Sequence, residues 1–305
     1  MKTIILHPSA KINIGLYVFE KRADGFHEIE SVFFPVGPEN SNLTPDKLTV
    51  SIAETEDEKK LFLSDGGEGK VTMVETGLEY PGKPEDNICV KAYNLLDADY
   101  SLPPAVISLE KHLPTGAGLG GGSSDGVCTL KALSNLCGLD LTEDQLLDYA
   151  AKLGSDCPFF VRNAPMLVTG RGEILTPLEE QASTALENLM ENYRVEIVFS
   201  PDCFVSTKKA YAIVPKRKRN NSGSSCQSSS KTASTSEEHC PYISLTELIT
   251  EPVENWQGRI INDFEAPVFK EFPQLQNIKN SLKEIGAAYV SMTGSGSAIY
   301  ALFKK

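Results

Sequence analysis

The sequence is short of the features that mark several large protein classes. Its 305 residues hold only four histidines, at positions 7, 27, 112 and 239, and these form no ligand cluster. A structural zinc site is therefore not expected. The seven cysteines, at 89, 128, 137, 157, 203, 226 and 240, are odd in number, and no pair has Cys-x-x-Cys spacing. That pattern fits reduced thiols in a cytoplasmic protein, not a disulfide framework. No apolar run approaches the roughly eighteen residues of a spanning helix. The apolar stretch within Met1–His7 is too short for a signal peptide. Basic side chains are the minority: 29 Lys and Arg stand against 41 Asp and Glu, a net charge of −12. This argues against nucleic acid or an anionic membrane as the main partner. An anionic small molecule stays open, because a local field can oppose the global one.

What the chain does have is glycine, concentrated at residues 114–126, PTGAGLGGGSSDG, where six of thirteen residues are Gly. Glycine alone lets successive N–H groups converge on one concavity. Ala105–Glu110 before the stretch reads as a strand; Val127, Leu130, Leu133 and Leu136 after it have helical spacing. A glycine loop feeding a helix N-terminus is an anion site. The segment Pro114-Thr115-Gly116-Ala117-Gly118-Leu119-Gly120-Gly121-Gly122-Ser123-Ser124 is accordingly expected to hold nucleotide phosphates. Gly121 is the position where a side chain is expected to fill the concavity. Gly116-x-Gly118-x-x-Gly121 formally matches a dinucleotide fingerprint, but that unit needs a second strand after its helix. Here Leu141–Gln145 reads as a capping box opening another helix. The lysine of a Walker A loop is missing from Gly122-Ser123-Ser124.

Residues 11–19 alternate, with Ile12, Ile14, Leu16 and Val18 on one face and Lys11, Asn13 and Tyr17 on the other, a face that taken alone reads as solvated. His27–Phe34 returns as a second strand. Residues 53–60 read as Glu/Lys-rich turns between strands at 47–52 and 70–74, and Asn87–Leu96 as a short helix. Asp156 follows the break at Gly154, where it is either a turn or cap carboxylate or a functional group. Gly170-Arg171-Gly172 reads as a hairpin turn, and 194–200 as a strand. Residues 216–240 are polar and of low complexity, read as a disordered insertion. A helix through Leu275–Ile285, a strand Ala288–Met292, the loop Thr293-Gly294-Ser295-Gly296-Ser297 and a last strand close the chain.

Taken together, Pro8-Ser9-Ala10-Lys11-Ile12-Asn13, Arg22-Ala23-Asp24-Gly25-Phe26-His27-Glu28, the glycine loop, Leu153-Gly154-Ser155-Asp156-Cys157-Pro158-Phe159-Phe160 and Met292–Ser297 resemble the GHMP kinase superfamily nearly end to end. Within it, the Lys11-Ile-Asn and Arg-Ala-Asp-Gly-Phe-His pair is most similar to a branch acting on a cytidyl-diphospho alcohol. The resemblance implies an α+β fold in two domains, 1–165 and 166–305, with the active site in the cleft between them. It implies ATP and Mg2+ as cofactors, a small-molecule alcohol as acceptor, and a monomer or weak dimer. Lys11 and Asp156 match the family's catalytic pair. Asn13, Phe26, His27, Phe33, Thr207 and Tyr211 match substrate-contacting positions, and Ser124 is the candidate magnesium contact. Phe26 stands where the family has tyrosine, so stacking survives without a hydroxyl. The alternatives are another GHMP kinase, for a sugar, homoserine or mevalonate-type alcohol, and a non-catalytic nucleotide-binding module.

Overall fold

The structure, a computed structural model, describes residues 1–64, 70–79, 82–200, 203–214, 217 and 243–305. The insertion read at 216–240 lies outside the described residues, Arg217 excepted.

The chain opens with β1 (Lys2–Leu6), followed by β2 (Ala10–Lys21) and β3 (His27–Val36), an antiparallel hairpin turning at Asp24-Gly25. β2 is buried on both faces from Ala10 to Phe19. The face carrying Lys11, Asn13 and Tyr17 is not solvated, because C-terminal chain covers it: Tyr17 donates to Arg259 O at 3.1 Å, and Tyr300 Oη donates to Asn13 O at 2.9 Å. β4 (Lys47–Ile52) lies between β1 and β6. α1 (Glu56–Ser64) occupies the stretch read as turns, and β5 (Val71–Gly77) follows. α2 (Ile88–Tyr100) starts at Asn87, whose side chain accepts from Cys89 N. β6 (Ala105–Lys111) leads into the glycine loop, and α3 (Gly121–Leu136) leaves it. α4 (Glu143–Leu153) begins in the expected capping box, with Thr142 and Gln145 bonded reciprocally. No strand intervenes between α3 and α4, which disposes of the dinucleotide fold.

α5 (Cys157–Arg162) is a short helix through Pro158-Phe159-Phe160, and β7 (Met166–Thr169) and β8 (Ile174–Pro177) form the hairpin around Gly170-Arg171-Gly172. β7 hydrogen-bonds to β3, so residues beyond 165 begin inside the same sheet as the first hairpin, in the order β2-β3-β7-β8. α6 (Glu180–Asn192), β9 (Tyr193–Val198), α7 (Thr207–Ile213), α8 (Leu245–Leu248), α9 (Glu265–Glu271), α10 (Pro273–Glu284), β10 (Tyr289–Met292) and β11 (Ile299–Lys304) complete the described chain.

Three cores hold these elements. One packs Leu48, Val50, Ile107 and Leu109 of the sheet β1-β4-β6-β5 against Tyr93 and Leu96 of α2 and Val127, Leu130 and Leu133 of α3. A second joins Ile12, Ile14 and Phe34 to Leu186 of α6, Ile197 of β9 and the buried Trp256. A third packs Leu16, Val18 and Ile29 against α7, α9, α10 and the sheet β10-β11-β9. β2 feeds both the second and third cores. Its N-terminal end, where Lys11 and Asn13 sit, is therefore held rigidly beside the glycine loop.

Candidate active site

A cleft of about 410 Å³ is walled by the glycine loop, β2, α7 and the loop after β10. Within the loop, Gly116, Gly118 and Gly120 have φ of 76°, 82° and 70°, alternating with ordinary residues. That alternation turns successive N–H groups inward. Gly120 is also the N-cap of α3 and has no side-chain capping bond. The first intrahelical bond runs from Ser124 N to Gly120 O, so the N–H groups of Gly121, Gly122 and Ser123 precede it at the cleft wall.

Pro114, Thr115, Gly116, Gly118, Gly120, Gly121, Gly122 and Ser123 line the cleft. Ala117 and Leu119 instead face the core, at 4% and 1% exposure. Their carbonyls hold the loop in place: Leu119 O accepts from Lys11 N at 2.8 Å and Ala117 O from Ala298 N at 3.1 Å. A side chain at Gly121 would not enter the concavity, since its Cβ would meet Leu113 at 3.2 Å; a Cβ at Gly122 meets nothing within 4 Å. Gly122 is thus the open floor of the cradle. The second small loop closes on the first, backbone to backbone: a Cβ on Gly118 would lie 2.1 Å from Thr293 O, and one on Gly294 would lie 2.9 Å from Gly118 Cα.

Lys11 and Asp156 meet in this cleft. Lys11 Nζ is 3.5 Å from Asp156 Oδ2, with the lysine side chain 3% exposed and the aspartate 35%. Asp156 occupies the N-cap position of α5 but makes no side-chain capping bond, so the cap reading falls away. Burial pulls the Lys11 ammonium below its ordinary value, and the Asp156 charge opposes that shift. Nζ also donates to Asn13 Oδ1 at 2.7 Å and lies 4.5 Å from the centroid of the Phe33 ring. Asn13 lines the cleft, yet its amide is engaged within the protein. Nδ2 donates to Ser31 Oγ at 2.9 Å, and Oδ1 accepts from Gly294 N at 2.9 Å. Asn13 therefore ties Lys11 to the second loop.

The aromatic positions divide. Phe33 is 3% exposed and forms the floor beneath Lys11, edge-on to Phe159. Phe26, His27 and Tyr211 gather at an adjoining cavity of about 940 Å³. There His27 and Tyr211 lie 5.8 Å apart and 16° from parallel, and His27 Nδ1 is 2.9 Å from Phe19 O. Burial pushes the Tyr211 hydroxyl up to about 12. Thr207 lines the inner cleft, its Oγ1 2.9 Å from Ser295 Oγ. Arg171, read from sequence only as a hairpin residue, lines both cavities, as does Tyr211. Its guanidinium lies 4.8 Å from the centroid of Phe26. Only a cation between two glycines of a hairpin was visible in the sequence, and nothing local distinguishes that from a solvated turn.

Ser124 is 1% exposed and does not line the cleft. Buried off the cleft, it does not fit as a magnesium contact. Among the described residues no cluster of three His, Cys, Asp or Glu side chains could hold a metal ion, and no helix is long and apolar enough to cross a membrane.

Known proteins share this architecture. Residues 87–163 match the GHMP kinase N-terminal domain and residues 246–305 the GHMP kinase C-terminal domain. The 4-diphosphocytidyl-2-C-methyl-D-erythritol kinase of Bacteroides thetaiotaomicron is 40% identical over 301 residues, covering 99% of this chain and 92% of that one. A crystal structure of 4-(cytidine 5'-diphospho)-2C-methyl-D-erythritol kinase superposes with a TM-score of 0.68 at 26% identity, over 98% of this chain and 90% of its own. The mevalonate kinase of Methanococcus jannaschii, at 14% identity and a TM-score of 0.59 over 99% of this chain and 90% of its own, shares the fold. With its glycine loop, its paired Lys11 and Asp156 and near full-length relatives of this kind, the chain belongs to the GHMP kinases, among the 4-diphosphocytidyl-2-C-methyl-D-erythritol kinases.

Proposed function

We propose that the protein transfers the terminal phosphoryl group of ATP to the 2-hydroxyl of 4-diphosphocytidyl-2-C-methyl-D-erythritol, a step of the non-mevalonate route to isoprenoid precursors. The observation that carries the reading is the Lys11–Asp156 pair, 3.5 Å apart at the mouth of a glycine-loop cradle. Full-length relatives bearing that name support the choice of acceptor.

In this reading the N–H groups of the loop and of the first turn of α3 hold the nucleotide phosphates. The acceptor oxygen forms its bond to the γ-phosphorus as the bond to the β–γ bridging oxygen breaks, and ADP leaves. The carboxylate of Asp156 accepts the hydroxyl proton. The Lys11 ammonium keeps Asp156 ionised and offsets charge on the transferring group. Phe26, His27 and Tyr211 enclose the base, and the Arg171 guanidinium at the junction of the two cavities faces the acceptor's diphosphate. Magnesium would enter with the nucleotide and offset the charge of its phosphates. Residues 1–165 serve as the nucleotide half and 166–305 as the acceptor half, with Asn13, Phe26, His27 and Phe33 reaching in from the first. The enzyme is cytoplasmic and works as a monomer or weak dimer.

ATP consumption against a panel of alcohols tests this: the cytidyl-diphospho compound, homoserine, mevalonate and a hexose, with the product located by phosphorus NMR. Turnover confined to the cytidyl compound, with a new phosphomonoester at its 2-oxygen, is expected. Preference for any other alcohol would assign the chain a different acceptor; no turnover with any of them would leave a nucleotide-binding module.

A further inference from the structure

Beneath the glycine loop lies a buried ionic cluster that takes no part in the chemistry above. Asp46, just before β4, is 0% exposed; Lys111, the last residue of β6, is 3% exposed; and Asp125, in α3, is 1% exposed. Asp46 Oδ1 accepts from His112 N at 2.6 Å and Leu113 N at 2.8 Å, the backbone that enters the loop. Asp46 Oδ2 pairs with Lys111 Nζ, which also donates to Asp125 Oδ2 at 2.8 Å. Asp125 sits one turn into the helix that leaves the loop. The residues on either side of 114–120 are thereby joined through one buried ammonium. That ammonium would lie 3.5 Å from a Cβ on Gly121, directly behind the helix N-terminus.

Such a cluster is an expensive way to gain stability. Three ionisable groups lose their hydration, and apolar residues of similar volume would serve the core as well or better. Asp125 Oδ1 is buried without a hydrogen-bond partner among the described residues, a further cost. What the cluster does supply is geometric. It fixes both flanks of a loop whose glycines give it little stiffness of its own.

We propose that Lys111, Asp46 and Asp125 are positioning residues that clasp the two ends of the glycine loop and hold its N–H groups in register for the nucleotide phosphates. The proposal rests on the reading of that loop as the nucleotide site. Neither the acceptor cavity nor the Lys11–Asp156 pair touches the clasp, so its loss should weaken nucleotide binding selectively. Burial pushes the Asp125 carboxyl up to about 8, with the Lys111 charge opposing the shift, so an amide at this position is a close substitute.

The test is calorimetric titration of ADP, and separately of the cytidyl-diphospho alcohol, into the unsubstituted protein, Asp125→Asn, Asp125→Ala and Lys111→Met, each with a thermal melt. Asp125→Ala and Lys111→Met should weaken ADP about tenfold or more while leaving the alcohol within about twofold. Asp125→Asn keeps an acceptor oxygen for Lys111 and should restore ADP affinity to within about threefold of the unsubstituted protein. Should Lys111→Met fail to fold, the contrast between Asn and Ala at 125 decides alone. Unchanged ADP affinity in Asp125→Ala, parallel weakening of both ligands, or equal losses in Asn and Ala would overturn the clasp. Failure of the unsubstituted protein to bind ADP would overturn the nucleotide reading with it.

Discussion

Lys11 is the residue on which physical chemistry and sequence pattern pull hardest against each other. An ammonium at 3% exposure is normally excluded from a core, and alternation along 11–19 alone would send it to solvent. It is kept by Asn13 Oδ1, Asp156 and the Phe33 face, partners that come from residues 2, 145 and 22 positions away in sequence. Its burial has a signed consequence. The folded-state pKa lies below the ordinary 10.5, so the charged form is lost on the alkaline side before that value. The kcat profile should therefore fall in alkali. Because Asp156 raises the Lys11 pKa, the residual activity of Asp156→Asn should fall at a lower pH still; a limb that stays in place would show that the two groups do not interact. Arg171 makes a different prediction. Arg171→Ala should raise KM for the acceptor by roughly tenfold while KM for ATP stays near that of the unsubstituted enzyme. A shift in KM for ATP instead would put the guanidinium on the nucleotide.

At the scale of elements, the two glycine loops act as one structure. The sequence showed both, because runs such as Gly120-Gly121-Gly122 have few structural explanations, and it showed that α3 and α4 follow each other directly. It did not show that Gly118 and Gly294 touch, since backbone contact leaves no side-chain signal. Gly118→Ala must put a Cβ against Thr293 O at a positive φ. It should destabilise the fold by about 2 kcal/mol or more, visible as a lowered Tm. Gly122→Val points into open space. It should keep Tm within a few degrees and abolish ADP binding, and retained ADP affinity would move the phosphates elsewhere. Three of the elements absent from the sequence reading share one cause. α1 is rich in Glu and Lys with little apolar periodicity, and α5 is a six-residue helix opening on Cys157-Pro158. β1 is a partly exposed edge strand, paired among the described residues only to β4. Each is fixed by its neighbours more than by its own pattern.

Across the whole molecule, the cleft is assembled from β2, the glycine loop, the start of α5, the β7–β8 hairpin, α7 and the loop after β10. Motif order along the chain was legible; which motifs meet was not, because local periodicity says nothing about residues 145 positions apart. Phe33 illustrates the limit, standing under Lys11 while Phe26 and His27 line the adjoining cavity. Arg217 illustrates it from the other side. Within a stretch that reads as a polar, disordered insertion, its guanidinium bonds both oxygens of Asp263 and lies 3.7 Å from the Tyr17 ring centroid. In the proposed reaction, phosphoryl transfer requires Lys11 and Asp156 to act as one unit. The most direct measurement is kcat for the unsubstituted enzyme, Lys11→Ala, Asp156→Asn and the double variant, with ADP affinity and Tm measured alongside. Each single change should lower kcat about a hundredfold or more with ADP still bound, and the double variant should be little worse than the worse single one. Fully additive losses in folded proteins, or an Asp156→Asn enzyme that turns over normally, would contradict it.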